Sequence, residues 1–147
     1  MGSKRTTFTT SLTVAQCGAA FRGAGDTARG GLKSKVARGI ATSVYDVPGE
    51  MANGYFELDD GPFAAVSEDP PAFSVGTHIL KFVGGGAGEG TTLQMYVWDR
   101  GDHREVTLIA LHKLTGGKRA SRYLGKFLTA FQSNDATVTE IAEPERL

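Results

Sequence analysis

The chain has 147 residues, with 16 Lys and Arg against 16 Asp and Glu, one cysteine and 40% hydrophobic residues. That length suits one domain that buries its own core, so 1–147 is expected to be a single α+β domain with ends frayed over about 1–5 and 142–147. The lone Cys17 excludes an intrachain disulfide and a Cys-based metal knot, and no apolar run approaches the ~20 residues of a membrane helix.

No apolar run follows Met1-Gly2-Ser3-Lys4-Arg5, so no signal peptide is expected, and the single thiol points to a cytoplasmic setting. The zero net charge is uneven. Residues 1–40 hold seven bases and one acid, residues 41–90 one base and eight acids, and residues 91–147 eight bases and seven acids. Segments of opposite sign neutralise one another on one folded surface or pair between subunits, and the first is the simpler outcome.

In chain order, Thr6–Thr10 predicts a Thr-rich edge strand around Phe8. Thr13-Val14-Ala15-Gln16 fits a capping box, and Val14, Cys17, Ala20 and Phe21 continue as the apolar stripe of a helix over about 14–24. That helix is expected to fail near Gly23 or Gly25. Residues 23–39 read as a basic, glycine-punctuated loop with a short helix over Leu32–Ala37, and Ile40–Val44 as a strand. Pro48-Gly49 marks a turn, and Tyr55, Phe56 and Leu58 a further strand. Phe63–Val66 is its partner or its continuation, and Pro70-Pro71 interrupts regular structure.

Phe73–Val83 predicts a strand whose imperfect alternation suggests a bulge near Gly76. The glycine run 84–90 tempts a phosphate-loop reading. No Gly-Lys-Ser/Thr closes it, a strand rather than a helix follows, and Glu89 would repel phosphate, so a flexible connection is expected. Thr91–Trp98 and His103–His112 then form a hairpin around Asp99-Arg100-Gly101-Asp102. Ala120, Tyr123, Leu124, Phe127, Leu128 and Phe131 mark one face of a helix over 118–132, and Thr137–Ile141 suggests a last edge strand.

The result is an α+β domain: a curved antiparallel sheet of five to seven strands packed against a C-terminal amphipathic helix. The element order resembles the helix-grip arrangement of small-ligand-binding proteins, and fits a two-layer sandwich nearly as well. Element order alone assigns no function.

No complete catalytic set is present. There is no Gly-x-Ser-x-Gly elbow, and Cys17 lies on an apolar stripe as an inert thiol. Asp99, Asp102 and His103 have a complete role in their turn, and the three histidines lack the short spacing of a metal site. Neither metal nor cofactor is expected. Lys118, Arg119, Arg122 and Lys126 read as a solvated helix face. Nucleic acid is disfavoured, because the net charge is zero and no base-stacking motif is recognisable.

The leading expectation is a non-enzymatic small binding or interaction domain, with a homodimer formed through the edges Thr6–Thr10 and Thr137–Ile141. The alternative is a cavity protein for a small apolar molecule, lined by Phe56, Phe63, Phe73, Phe82, Met95, Tyr96, Trp98, Phe127 and Phe131. A solid core requires the same residues. The ligand-binding candidates are His78, Tyr96, Trp98, His112 and Phe127, and any enzymatic activity would use His78 or His112.

Overall fold

The computed structural model describes residues 2–29, 54–59, 61–66, 69–82, 88–112 and 116–142. The elements are β1 (Gly2–Thr10), α1 (Val14–Arg29), β2 (Tyr55–Glu57), a 3-10 helix (Gly61–Val66), β3 (Phe73–Phe82), β4 (Gly88–Asp99), β5 (Arg104–His112), α2 (Gly117–Asn134) and β6 (Thr139–Glu140). The expected helix over Leu32–Ala37, strand over Ile40–Val44 and turn at Pro48-Gly49 fall outside the described residues.

Among the described residues, six strands join one open antiparallel sheet in the order β2-β3-β4-β5-β1-β6. Its centre is the expected hairpin. Asp99 Oδ1 accepts the Gly101 N–H at 2.9 Å, and Gly101 takes φ +91°, which glycine adopts without strain. Arg104 donates to Asp99 Oδ1 and to the carbonyl of Leu12, tying this turn to the start of α1.

β1 spans the full length of β5, from Gly2 opposite His112 to Thr10 opposite Arg104. It is therefore not an edge strand. Its other side meets β6, where Phe8 faces Glu140 and Thr9 faces Thr139, so the two segments expected as free edges pair with each other.

Both helices cover one face, hereafter the inner face. α1 opens on the expected capping box, in which Gln16 N–H donates to Thr13 Oγ1 and Thr13 N–H donates to Gln16 Oε1. It does not stop at Gly23 or Gly25 but runs to Arg29. Gly25 is buried against Tyr55, where a Cβ would lie 2.7 Å from the Tyr55 hydroxyl. Close packing on β2 thus outweighs the low helix propensity of glycine. Further along the sequence, Phe63–Val66 forms the end of a 3-10 helix instead of a strand.

The inner core is apolar and close-packed. Phe8 meets Phe131 edge-to-face at 5.0 Å, and Phe21 meets Phe127 at 5.1 Å. α2 buries Ala120, Tyr123, Leu124, Phe127 and Phe131, while Leu128 is only partly buried. Cys17 is enclosed in this core, and burial pushes its thiol up to about 12 against an opposing pull from Arg104. At neutral pH it is no nucleophile.

Gly125 lies on the exposed side of α2, and a Cβ there would meet nothing within 4 Å. Gly125→Ala is therefore expected to stabilise the protein by about 0.5–1 kcal/mol through the higher helix propensity of alanine. The check is a higher urea midpoint at unchanged m.

Candidate functional site

Side chains alternate between the two faces of a strand, so register decides which of them meet. On the outer face, away from the helices, β3, β4 and β5 align in rows. His78 lies beside Thr92 and Leu111, Gly76 beside Gln94 and Ile109, and Ser74 beside Tyr96 and Thr107. Trp98 and Glu105 make the last row, with Thr9 of β1 next to Glu105. The β3–β4 register runs unbroken from Phe73 to Phe82, so the bulge expected at Gly76 is absent. Gly76 instead lies under the Phe56 ring, where a Cβ would fall 2.5 Å from a ring carbon. The apparent break in alternation arises because Phe73 belongs with Val75 on the inner face.

Between β2 and β3, the described residues 58–59, 61–66 and 69–72 lie as a strap over this outer face. Ser74 Oγ donates to the Leu58 carbonyl at one end, and Trp98 Nε1 donates to the Asp69 carbonyl at 2.8 Å near the other. Between them the Phe63 ring stands edge-to-face with Tyr96 and Trp98, 5.0 Å from each. Gly61 takes φ +53° and passes so close that a Cβ would lie 2.1 Å from the Tyr96 hydroxyl. Tyr96, Trp98 and Ile109 form a second small core here, with Leu58, Phe63 and Leu111 packed against it.

Polar groups are buried in this layer. Glu105 is fully enclosed, with Arg100 Nη2 at 3.8 Å from its carboxylate and 2.8 Å from Asp69 Oδ2. Thr7 and Thr107 share a hydroxyl hydrogen bond of 2.9 Å. The Tyr96 hydroxyl donates to Gln94 Oε1 at 3.4 Å. His78 is half-buried, and Nδ1 lies 2.9 Å from Thr92 Oγ1. Burial lowers its pKa, so the ring is neutral at neutral pH, with one nitrogen as donor and the other as acceptor.

Three of the five candidates therefore share one face: His78, Tyr96 and Trp98. The other two do not join them. Phe127 is buried in the inner core, and His112 lies on the inner side of β5 close to Gly2 and Gly117. The lining expected for one cavity is likewise divided by the sheet, with Phe56, Phe63, Tyr96 and Trp98 on the outer side. Phe73, Met95, Phe127 and Phe131 belong to the inner core. Strand parity separates neighbours such as Met95 and Tyr96.

Acid–base chemistry finds little support in this geometry. On β5, Glu105 lies six residues from Leu111, the row of His78, which places the acid and the imidazole about 20 Å apart. They cannot act on one atom. Asp102 does meet an imidazole, His103 Nδ1 at 2.6 Å, but on the exposed hairpin turn; that hydrogen bond holds the Asp102 carboxyl below its ordinary range. Among the described residues, no three His, Cys, Asp or Glu side chains gather for a metal, and no helix is long and apolar enough to cross a membrane.

Sequence reasoning missed Gln94 and Thr92 as companions of His78. Their spacing of two along β4 was visible, but only the register to β3 and β5 brings them together. No family model matches the chain, and neither a curated protein nor a solved structure matches it.

Proposed function

We propose that the chain is a small non-enzymatic binding domain, with its ligand on the outer sheet face beside the strap. The observation that supports this most is the chemical contrast between the faces. The inner face is packed mainly with apolar groups, its buried polar strand residues being Thr10, Thr77 and Thr91, whereas the outer face holds His78, Gln94, Thr107 and the charged Glu105 over an apolar floor. At its His78 end, the half-buried His78, Thr92 and Gln94 border Ile109 and Leu111. This combination suits a small, partly apolar molecule with hydrogen-bonding groups, because apolar walls supply affinity and a few polar groups fix orientation. The separation of His78 from Glu105 favours binding over catalysis.

Trp98 is the sole tryptophan and lies on this face, so its emission reports on the site. The amphipathic dye 1-anilinonaphthalene-8-sulfonate is expected to bind with energy transfer from Trp98. The double variant His78→Ala/Gln94→Ala should weaken that binding at least about tenfold, equivalent to about 1.4 kcal/mol. Equal affinity in the folded wild type and variant, or no binding to either, would remove the outer face as the site.

A further inference from the structure

The outward side of α2 carries a second feature, independent of the outer sheet face. Lys118, Arg122 and Lys126 are all exposed, and their spacing of four residues sets them about 6 Å apart along the axis in one gently drifting stripe. α2 contains no acidic residue. Among the described residues none of the three takes part in an ion pair, and Lys126 Nζ instead lies 5.7 Å from the Tyr123 ring centre. Lys4 extends the basic surface, with its Cε near Gly117 at the start of the helix.

The described part of the strap, on the opposite face, carries Asp59 and Asp69, the second paired with Arg100. An anion approaching the outward side of α2 therefore meets Lys118, Arg122 and Lys126 with no acid on the helix itself. Charge summed over the whole chain, which argued against nucleic acid, does not describe this surface.

Between the cations, the outward side presents Ser121, Gly125 and Thr129. Gly125 has open space where a Cβ would be, so no contact among the described residues requires glycine there. A glycine at such a point suits close approach of another backbone. The composition of the stripe narrows what approaches. A second copy docked by the same face would set cations against cations. Protein interfaces are anchored by aromatic residues, Met and Arg and are poor in Lys and Ser, which is close to the reverse of this surface. A membrane-surface helix needs an apolar side toward the lipid, but the apolar side of α2 is in the core. Single-stranded nucleic acid is held by base stacking on aromatic rings, and Tyr123 is buried.

We propose that the outward face of α2 binds the phosphate backbone of a nucleic-acid duplex without reading its sequence, through Lys118, Arg122 and Lys126. Such interfaces are polar and strongly positive, and their affinity follows the number of phosphates neutralised. Three contacts give a slope of about −2.7 in log affinity against log salt, or roughly 40-fold weaker binding at about 200 than about 50 mM salt.

The test is fluorescence anisotropy of a short labelled DNA duplex with the full chain at those two salt concentrations. The expected result is salt-sensitive binding by the wild type. Lys118→Gln/Arg122→Gln/Lys126→Gln should weaken it at least about tenfold at low salt and flatten the salt slope, with the thermal melt unchanged. Gly125→Glu, which fills the open point with a like-charged group, should weaken it as well. Absence of duplex binding at low salt, or a triple variant with unchanged affinity and slope, would overturn the proposal. So would tighter binding to phosphatidylserine vesicles or to polyglutamate than to the duplex at equal salt.

Discussion

Phe127→Ala is expected to destabilise the protein by about 3–5 kcal/mol, the usual range for removing a fully buried aromatic ring and leaving a cavity. The ring has no solvent exposure and sits edge-to-face with Phe21, so it joins α2 to α1 over the inner face of the sheet. Urea denaturation checks this as a lower midpoint with unchanged m. Phe127→Leu, which keeps most of the volume, should cost less than about 1.5 kcal/mol. Because Phe127 and the proposed ligand site lie on opposite faces of the sheet, Phe127→Leu should also leave dye affinity unaltered. A loss of dye binding in that variant would move the site to the inner face.

Asp135→Ala is expected to cost about 3 kcal/mol at neutral pH, because several donors lose one charged acceptor. Asp135 directly follows α2 and is 9% exposed. Its Oδ2 accepts from Thr10 Oγ1 at 2.6 Å, from the Ser11 N–H at 2.8 Å and from Ser11 Oγ at 3.0 Å. Its Oδ1 accepts from Thr137 N–H at 2.9 Å and Thr137 Oγ1 at 2.7 Å. One carboxylate thus fastens the end of β1, the turn into α1 and the approach to β6. The Thr10 hydroxyl, followed by that of Thr137, holds its pKa far below the ordinary aspartate value.

A depressed folded-state pKa fixes the sign of the pH effect. The stabilisation is complete above the unfolded value of about 3.9 and is lost as pH falls through it toward the lower folded value. Wild-type stability should therefore decline more steeply than that of Asp135→Ala between near-neutral pH and about pH 3. Parallel pH profiles for the two proteins would show that the network contributes nothing through its charge.

Local sequence determined more of this fold than of its site. The β4–β5 hairpin follows from two β-rich runs around a turn in which Asp99 and Gly101 each have a short-range role. The start of α1 follows from Thr13 and Gln16, three residues apart, and the buried side of α2 from the spacing of Tyr123, Leu124, Phe127 and Phe131. These features rest on interactions within a few residues, so composition and periodicity reveal them. The same local reading finds no catalytic constellation.

Tertiary structure decided whatever depended on distant partners. α1 passes through Gly23 and Gly25 because Tyr55, thirty residues on, packs against it. Phe63 leaves the sheet because Tyr96 and Trp98 offer a place for its ring on the outer face. Thr10, Ser11 and Asp135 are joined across more than a hundred residues, and no periodicity records that. The aromatic residues that read as the lining of one cavity were assigned to two faces by register, since a strand shows which residues alternate but not which side meets the helices. That side was fixed when β1 paired along β5 and placed Phe8 with Val106 beneath α2. The same pairing left Thr7 beside Thr107 on the outer face, in the layer that also holds His78, Gln94 and Trp98.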